Sequence, residues 1–65
     1  SQHVRGEAAD IACDDPRELA VTAVRLGLPF DQMILYPDFV HFSHRLEGPQ
    51  RGQVLYNWRY KGEKL

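Results

Sequence analysis

The hydrophobic positions of this 65-residue chain follow a helical spacing in one stretch and alternate in several others. The helical stretch is DDPRELAVTAVRLG, in which five apolar residues fall on one face of a 3.6-residue repeat. These five are Leu19, Ala20, Ala23, Val24 and Leu26. The pattern predicts an amphipathic helix from about residue 16 to residue 26.

Both ends of this helix are marked by residues suited to helix termini. Asp15 is an N-cap residue, Pro16 suits the first helical position, and Glu18 lies three residues after the cap, as in a capping box. At the other end, Gly27 suits a left-handed C-terminal position, and Pro29 prevents the helix from restarting. The helix is therefore predicted from its termini as well as from its apolar face.

Four further segments are typical of strands, and LEGPQRG carries the turn residues of a loop. The strand segments are EAADIAC, QMILY, FVHFSHR and QVLYNWRY. Alternation places Asp10 on one face of its strand with Ala8 and Ala12. It places His41 and His44 on opposite faces of theirs. In the last segment it places Val54, Tyr56, Trp58 and Tyr60 on one face. The order strand, helix, strand, strand, strand predicts a small α+β domain, a mainly antiparallel sheet with one helix packed on a face.

Composition narrows the classes of function. The chain is 43% hydrophobic and 26% charged with a formal net charge of −1, and it contains no dense basic run, which argues against a nucleic-acid partner. No stretch is long and apolar enough to span a membrane. Cys13 is the only cysteine, so an internal disulfide is excluded. A chain this short buries only roughly 60% of its unfolded surface, so a metal ion or a partner surface is expected to add stability.

Histidines and carboxylates supply the candidate chemistry. A catalytic zinc takes three protein ligands and leaves a fourth position for water. If Asp10 and His41 face the same side of a sheet, a third ligand from the loop that bears His3 completes such a set. His44 leaves the opposite face of its strand. From the residues alone the alternatives stay open, because a terminal histidine is usually solvated and a histidine in an apolar strand is more often a packed core residue.

The carboxylates carry the same ambiguity. Asp31 and Asp38 are candidate general bases, since a carboxylate near a metal-bound water takes its proton. Asp38 follows Pro37, however, and a Pro-Asp pair is typical of a turn. Asp31 follows Phe30 after a proline, and it suits a turn or a cap equally well.

Two segments of the chain resemble a known family. SQHVRGEAADI resembles the S-x-H-x-x-G-x-A-x-D-[IV] signature of the zinc D-alanyl-D-alanine peptidases. Their superfamily includes D-Ala-D-Ala dipeptidases, phage endolysin L-alanyl-D-glutamate peptidases and the hedgehog signalling domain. LPFDQMILYPDFVHFSHR is similar to the stretch that leads to the third ligand in the small phage and prophage branch. The resemblance covers about residues 1 to 58, and the first motif is the more specific of the two.

The resemblance implies a role for each matching residue. The implied zinc ligands are His3, Asp10 and His41. Asp38 stands three residues before the last ligand, the position of the family's general base, and Asp31 is the second choice for that role. Ser1 and Gly6 are implied to support the ligand loop, and Arg45 is a candidate for binding a substrate carboxylate.

The implied function is a zinc-dependent peptidase of the D-Ala-D-Ala carboxypeptidase or endolysin type, with a hedgehog/DD-peptidase-like fold. Its substrate is expected to be a peptidoglycan stem peptide, cut next to a D-amino acid. A phage-derived member would be made in the bacterial cytoplasm and act on the cell wall. The main alternative is a non-catalytic binding domain that keeps the metal for stability, and another is an interaction module with structural histidines and no metal.

The resemblance also bears on domain organisation. Family domains are longer, so residues 1–65 are expected to form a single peptidase-like domain that matches the C-terminal part of a typical family domain, without its upstream segment. Such an incomplete domain is expected to form a homo-oligomer or to associate with the missing segment, because its sheet edges are left open.

Overall fold

The computed structural model describes residues 6–65, which form one helix and one four-stranded sheet. The elements in chain order are β1 (Gly6–Ala12), α1 (Pro16–Arg25), β2 (Gln32–Leu35), β3 (Phe39–Arg45) and β4 (Gln53–Tyr56). This order and the small α+β class confirm the sequence-based prediction. No helix in the described range is long and apolar enough to cross a membrane.

Helix α1 begins and ends through the expected terminal residues. The Asp15 side chain accepts a hydrogen bond from the Glu18 backbone N–H at 3.1 Å. The reciprocal half of the capping box, from the Glu18 side chain, is not formed among the described residues. At the C-terminus Gly27 adopts a φ of 71°, and the Leu28 N–H donates to the Ala23 carbonyl at 3.1 Å. This is a Schellman motif, which needs a residue that tolerates a left-handed conformation.

The sheet has the strand order β1-β3-β2-β4. Strand β3 pairs antiparallel with β1 and with β2, whereas β2 and β4 are parallel. The predicted, mainly antiparallel sheet is therefore confirmed. The parallel pair arises because the loop after β3 crosses the start of β2 and places β4 on its far side.

The two faces of the sheet have different surroundings. Helix α1 packs on the face that carries Met33, Leu35 and Val40, which are fully buried. No helix or strand within residues 6–65 packs on the opposite face, which we call the open face. Ala8, Asp10 and Ala12 of that face are exposed.

The last strand is shorter than predicted. β4 ends at Tyr56, because the Asn57 side chain accepts a hydrogen bond from the Arg59 N–H at 3.0 Å and the Asn57 carbonyl accepts one from the Tyr60 N–H at 2.9 Å. An asparagine that bonds the backbone two residues on forms a turn. The prediction that Trp58 continues the strand is wrong, and its side chain is 81% exposed.

Candidate functional site

Asp10 and His41 face each other directly across the β1–β3 pair. His41 Nδ1 lies 2.6 Å from Asp10 Oδ1, a short hydrogen bond between side chains. The His41 side chain is 33% exposed and that of Asp10 is 63% exposed. Both residues lie on the open face, so the condition that the sequence left open, a shared face for Asp10 and His41, is met.

The hydrogen bond defines how the imidazole is oriented. An ionised carboxylate can only accept, and a neutral imidazole that donates its Nδ1–H to a carboxylate keeps a free lone pair on Nε2. The second nitrogen is then available as a proton acceptor or as a metal ligand. While this hydrogen bond is present, Asp10 fixes the ring orientation of His41.

The neighbours of this pair on the open face are small or apolar. Ala8 and Ala12 flank Asp10 on its own strand, and Ile34 is the residue opposite His41 on β2. Leu55 extends the row on β4 and is 41% exposed. The face therefore offers open space beside the carboxylate and an apolar strip beside the imidazole.

A polar row lies next to this apolar strip. Ser43, Gln32 and Gln53 are register partners across β3, β2 and β4. The Gln32 side-chain amide donates to the Gln53 side-chain oxygen at 2.9 Å. The sequence patterns gave these glutamines no role, because their proximity depends on the parallel β2–β4 pair.

The chemistry of the Asp10–His41 pair fits zinc, which binds imidazole nitrogen and carboxylate oxygen. Donor atoms about 2.0–2.1 Å from a tetrahedral ion lie roughly 3.3 Å from one another. The observed 2.6 Å separation is that of a hydrogen bond, so zinc binding by both side chains would replace this bond and move the two donors apart. A third donor is still needed. Within residues 6–65 no group of three histidine, cysteine or acidic side chains converges, and His3, the predicted third ligand, lies outside the described residues together with Ser1.

Asp38, the predicted general base, lies in the turn between β2 and β3. It is exposed, and its carbonyl accepts a hydrogen bond from the Cys13 N–H at 3.0 Å. Three residues of extended chain separate it from His41, about 10 Å between Cα atoms. No hydrogen bond or ion pair in the described part of the chain joins the Asp38 carboxylate to the Asp10–His41 pair.

The Asp38 carboxylate belongs instead to an acidic neighbourhood around Cys13. Burial raises the pKa of the Cys13 thiol, and the negative charges of Asp15, Asp14 and Asp38 raise that pKa further. A thiol whose pKa is raised is a poor nucleophile and a poor metal ligand. Cys13 also packs against the core on the helix side of the sheet, away from the open face that carries Asp10 and His41.

Asp31, the second choice for the base, is bound in an ion pair. Its side chain is buried, and its two oxygens accept from the Arg51 Nε at 2.9 Å and Nη2 at 2.7 Å. Hydrogen bonding to Arg51 lowers the pKa of Asp31 from 3.8 to about 2. A carboxylate with so low a pKa accepts a proton poorly, which argues for a structural role.

Arg51 is a residue that the sequence patterns missed. Its partner Asp31 is 20 positions away, and the contact depends on the crossover from β3 to β4. One signal could have suggested a partner: Asp31 precedes an apolar strand, and a buried carboxylate is almost always paired.

His44 and Arg45 end β3 on opposite faces. His44 lies opposite Glu7 on the face that carries α1, as alternation predicts, and so points away from the Asp10–His41 pair. Arg45 is exposed and shares the face of His41, four residues further on, about 13 Å along the strand. A long arginine side chain spans part of that distance, so binding of a substrate carboxylate by Arg45 stays a prediction.

Fold and site together define a class: a two-layer α+β domain with an aspartate–histidine pair on its open sheet face. In comparisons with known proteins, no protein-family model, no curated protein and no solved structure matches the chain.

Proposed function

We propose that this chain is a zinc peptidase domain with a hedgehog/DD-peptidase-like fold. The observation that carries the proposal is the Asp10–His41 contact at 2.6 Å on an open sheet face. Two residues that the sequence motifs single out, 31 positions apart in the chain, are brought together in the fold. Their nitrogen and oxygen donors match the preferences of zinc.

Three residues would hold the ion, namely His3, Asp10 and His41. A zinc ion bound there supplies a water of lowered pKa and polarises a substrate carbonyl. The proposed role of Asp38 is to take the proton at its carboxylate oxygens and return it to the leaving amine. The proposed substrate is a peptidoglycan stem peptide cut next to a D-amino acid, whose small side chain suits the strip formed by Ile34 and Leu55.

Zinc titration of the pair is the first test. Asp10→Ala and His41→Ala each remove one donor, and we expect isothermal titration to show at least a tenfold loss of zinc affinity. His44→Ala is the matched control, because it removes a histidine from the same strand but from the opposite face. The wild-type chain should bind one equivalent. Equal affinities in all four proteins would refute the site.

The catalytic step is tested separately with Asp38→Asn. If the Asp38 carboxylate is the general base, hydrolysis of a D-Ala-D-Ala peptide by the zinc-loaded protein should fall by roughly 10²–10⁴-fold. Zinc affinity should be unchanged, because this carboxylate is not a proposed ligand. A variant as active as the wild type would remove Asp38 from the mechanism.

A second candidate function is a non-catalytic, metal-stabilised binding domain. It is favoured by the position of Asp38, whose carboxylate makes no described contact with the Asp10–His41 pair. This function predicts zinc binding without hydrolysis of any stem-peptide analogue, in the wild type and in Asp38→Asn alike. The two experiments together therefore separate an enzyme from a binding domain.

A further inference from the structure

Every polar group of Asp31 is engaged by another part of the chain. Its N–H donates to the Ser43 carbonyl at 2.8 Å, and its carbonyl accepts from the Gln53 N–H at 3.0 Å. Oδ1 accepts from the Arg51 N–H at 3.1 Å and from Nε at 2.9 Å, and Oδ2 accepts from Nη2 at 2.7 Å. Among the residues with described burial, 7–65, Asp31 is the only buried charged one.

These bonds join three segments at one point: the start of β2, strand β3 two residues after His41, and the crossover that leads into β4. Ser43 strengthens the junction, because its Oγ accepts from the Gln32 N–H at 3.1 Å. The adjacent Gly52 N–H also donates to the Phe30 carbonyl at 3.0 Å. Ser43 is the residue of β3 in this junction, and Arg51 is linked to it through Asp31, whose N–H donates to the Ser43 carbonyl.

Register decides whether the site exists. A slip of one residue moves every side chain of a strand to the other face. For β3 it would carry His41 to the helix side and leave Val40 or Phe42 opposite Asp10. Strand β2 is only four residues long. With so few backbone hydrogen bonds to β3, its register depends strongly on the contacts at its ends.

The main contribution of the Asp31–Arg51 ion pair is to fix the geometry of the junction. The Asp31 side chain is buried and that of Arg51 is 50% exposed, so the desolvation cost of the carboxylate offsets part of the attraction between the two charges. A two-bond contact between guanidinium and carboxylate does fix a planar orientation, which a single point charge cannot. Asp31 and Arg51 form such a contact, reinforced by the Arg51 backbone N–H.

We propose that the Asp31–Arg51 ion pair is a positioning device that holds β3 in the register at which His41 meets Asp10. Arg51 and Asp31 act through the strand, because none of their described hydrogen bonds reaches Asp10 or His41. The zinc-affinity readout of this inference rests on the proposed function. The readout of His41 position in the metal-free protein does not.

The test compares Arg51→Gln and Arg51→Lys with Asp15→Ala. The glutamine variant removes the charge and the two-bond contact, and the lysine variant keeps the charge. Asp15→Ala removes the N-cap bond at the N-terminus of α1. The first readout is the NMR resonance of the His41 Nδ1–H in the metal-free protein. The second is zinc affinity by isothermal titration.

We expect Arg51→Gln to shift or broaden the His41 resonance and to weaken zinc binding at least tenfold, the scale of lost outer-shell support at metal sites. Arg51→Lys should restore part of both. Asp15→Ala should lower the melting temperature and change neither. If Arg51→Gln fails to fold, Arg51→Lys carries the test through its altered His41 resonance.

The inference is overturned if the Arg51 variants lower the melting temperature but leave the His41 resonance as in the wild type, since the ion pair then acts on stability alone. A wild-type protein that binds no zinc would contradict the proposed function. The resonance of metal-free His41 would still decide the role of the ion pair.

Discussion

At the scale of single residues, the three candidate aspartates have three different environments. Asp10 follows two alanines and reaches His41 on the open face. Asp31 follows Phe30 and is buried against Arg51, whereas Asp38 follows Pro37 and is exposed in a turn. What separates them is which strand or loop the fold brings to each carboxylate.

The pKa of Asp31 leads to a prediction about acid stability. Hydrogen bonding to Arg51 lowers this pKa in the folded protein to about 2 from the usual 3.8. The folded state therefore binds this proton less readily than the unfolded state does, and the stabilisation is complete above pH 4 and lost as the pH falls toward 2. Asp31→Asn should melt below the wild type at pH 6.

The gap between wild type and Asp31→Asn should narrow steadily as the pH is lowered from 4 to 2. Thermal unfolding followed by circular dichroism at several pH values measures this. Asp14→Asn is the control, since Asp14 is exposed and belongs to no described ion pair. A gap that stays constant over the whole range would show that Asp31 is not the ionised partner of Arg51.

How much of the candidate site the sequence predicts depends on the distance over which each contact forms. Alternation within one strand is local, so it correctly assigns His41 and His44 to opposite faces and Asp10 to the face of its neighbouring alanines. The Asp31–Arg51 pair joins residues 20 positions apart through a crossover. No local pattern encodes such a contact, and the sequence therefore suggested Asp31 as a base.

At the scale of elements, helix α1 was predicted well because its signals are local and redundant. Its apolar face, N-cap, N-terminal proline and C-terminal glycine agree, and the observed Pro16–Arg25 differs from the prediction by one residue. Strand β4 was predicted four residues too long, since aromatic alternation continues past Tyr56 while Asn57 forms a turn. Its parallel pairing with β2 follows from loop topology, which the alternation pattern does not contain.

The N-cap of α1 gives a prediction at this scale. Asp15→Ala leaves the Glu18 N–H without its side-chain acceptor and should cost about 1 kcal/mol of unfolding free energy. For a domain of this size that corresponds to a drop in melting temperature of roughly 4–8 °C. Differential scanning calorimetry measures the drop.

Asp14→Ala is the matched variant for the N-cap experiment. It removes a negative charge one position earlier, near the same positive end of the helix dipole, but it removes no capping bond. Its melting temperature should lie close to that of the wild type. Equal losses in the two variants would mean that charge near the helix terminus, and not the cap, stabilises α1.

At the scale of the whole molecule, the core is small. Only Met33, Leu35 and Val40 are large side chains that are fully buried among the described residues. Domains of this length have little stability to spare, since a single core rarely supplies more than about 3–5 kcal/mol. Any ligand that binds the folded state but not the unfolded state therefore raises the free energy of unfolding by a large fraction.

Because the core is small, zinc binding at the proposed site should raise the melting temperature measurably. Zinc at a free concentration 100 times its Kd should add about 2.7 kcal/mol to the unfolding free energy. At roughly 4–8 °C per kcal/mol, the melting temperature should rise by about 10–20 °C, and a chelator should reverse the rise. His44→Ala should keep this response and His41→Ala should lose it, because only His41 lies beside Asp10 on the open face. A rise of equal size in both variants would place the bound zinc elsewhere in the chain, and the Asp10–His41 pair would then be a hydrogen-bonded dyad without a metal.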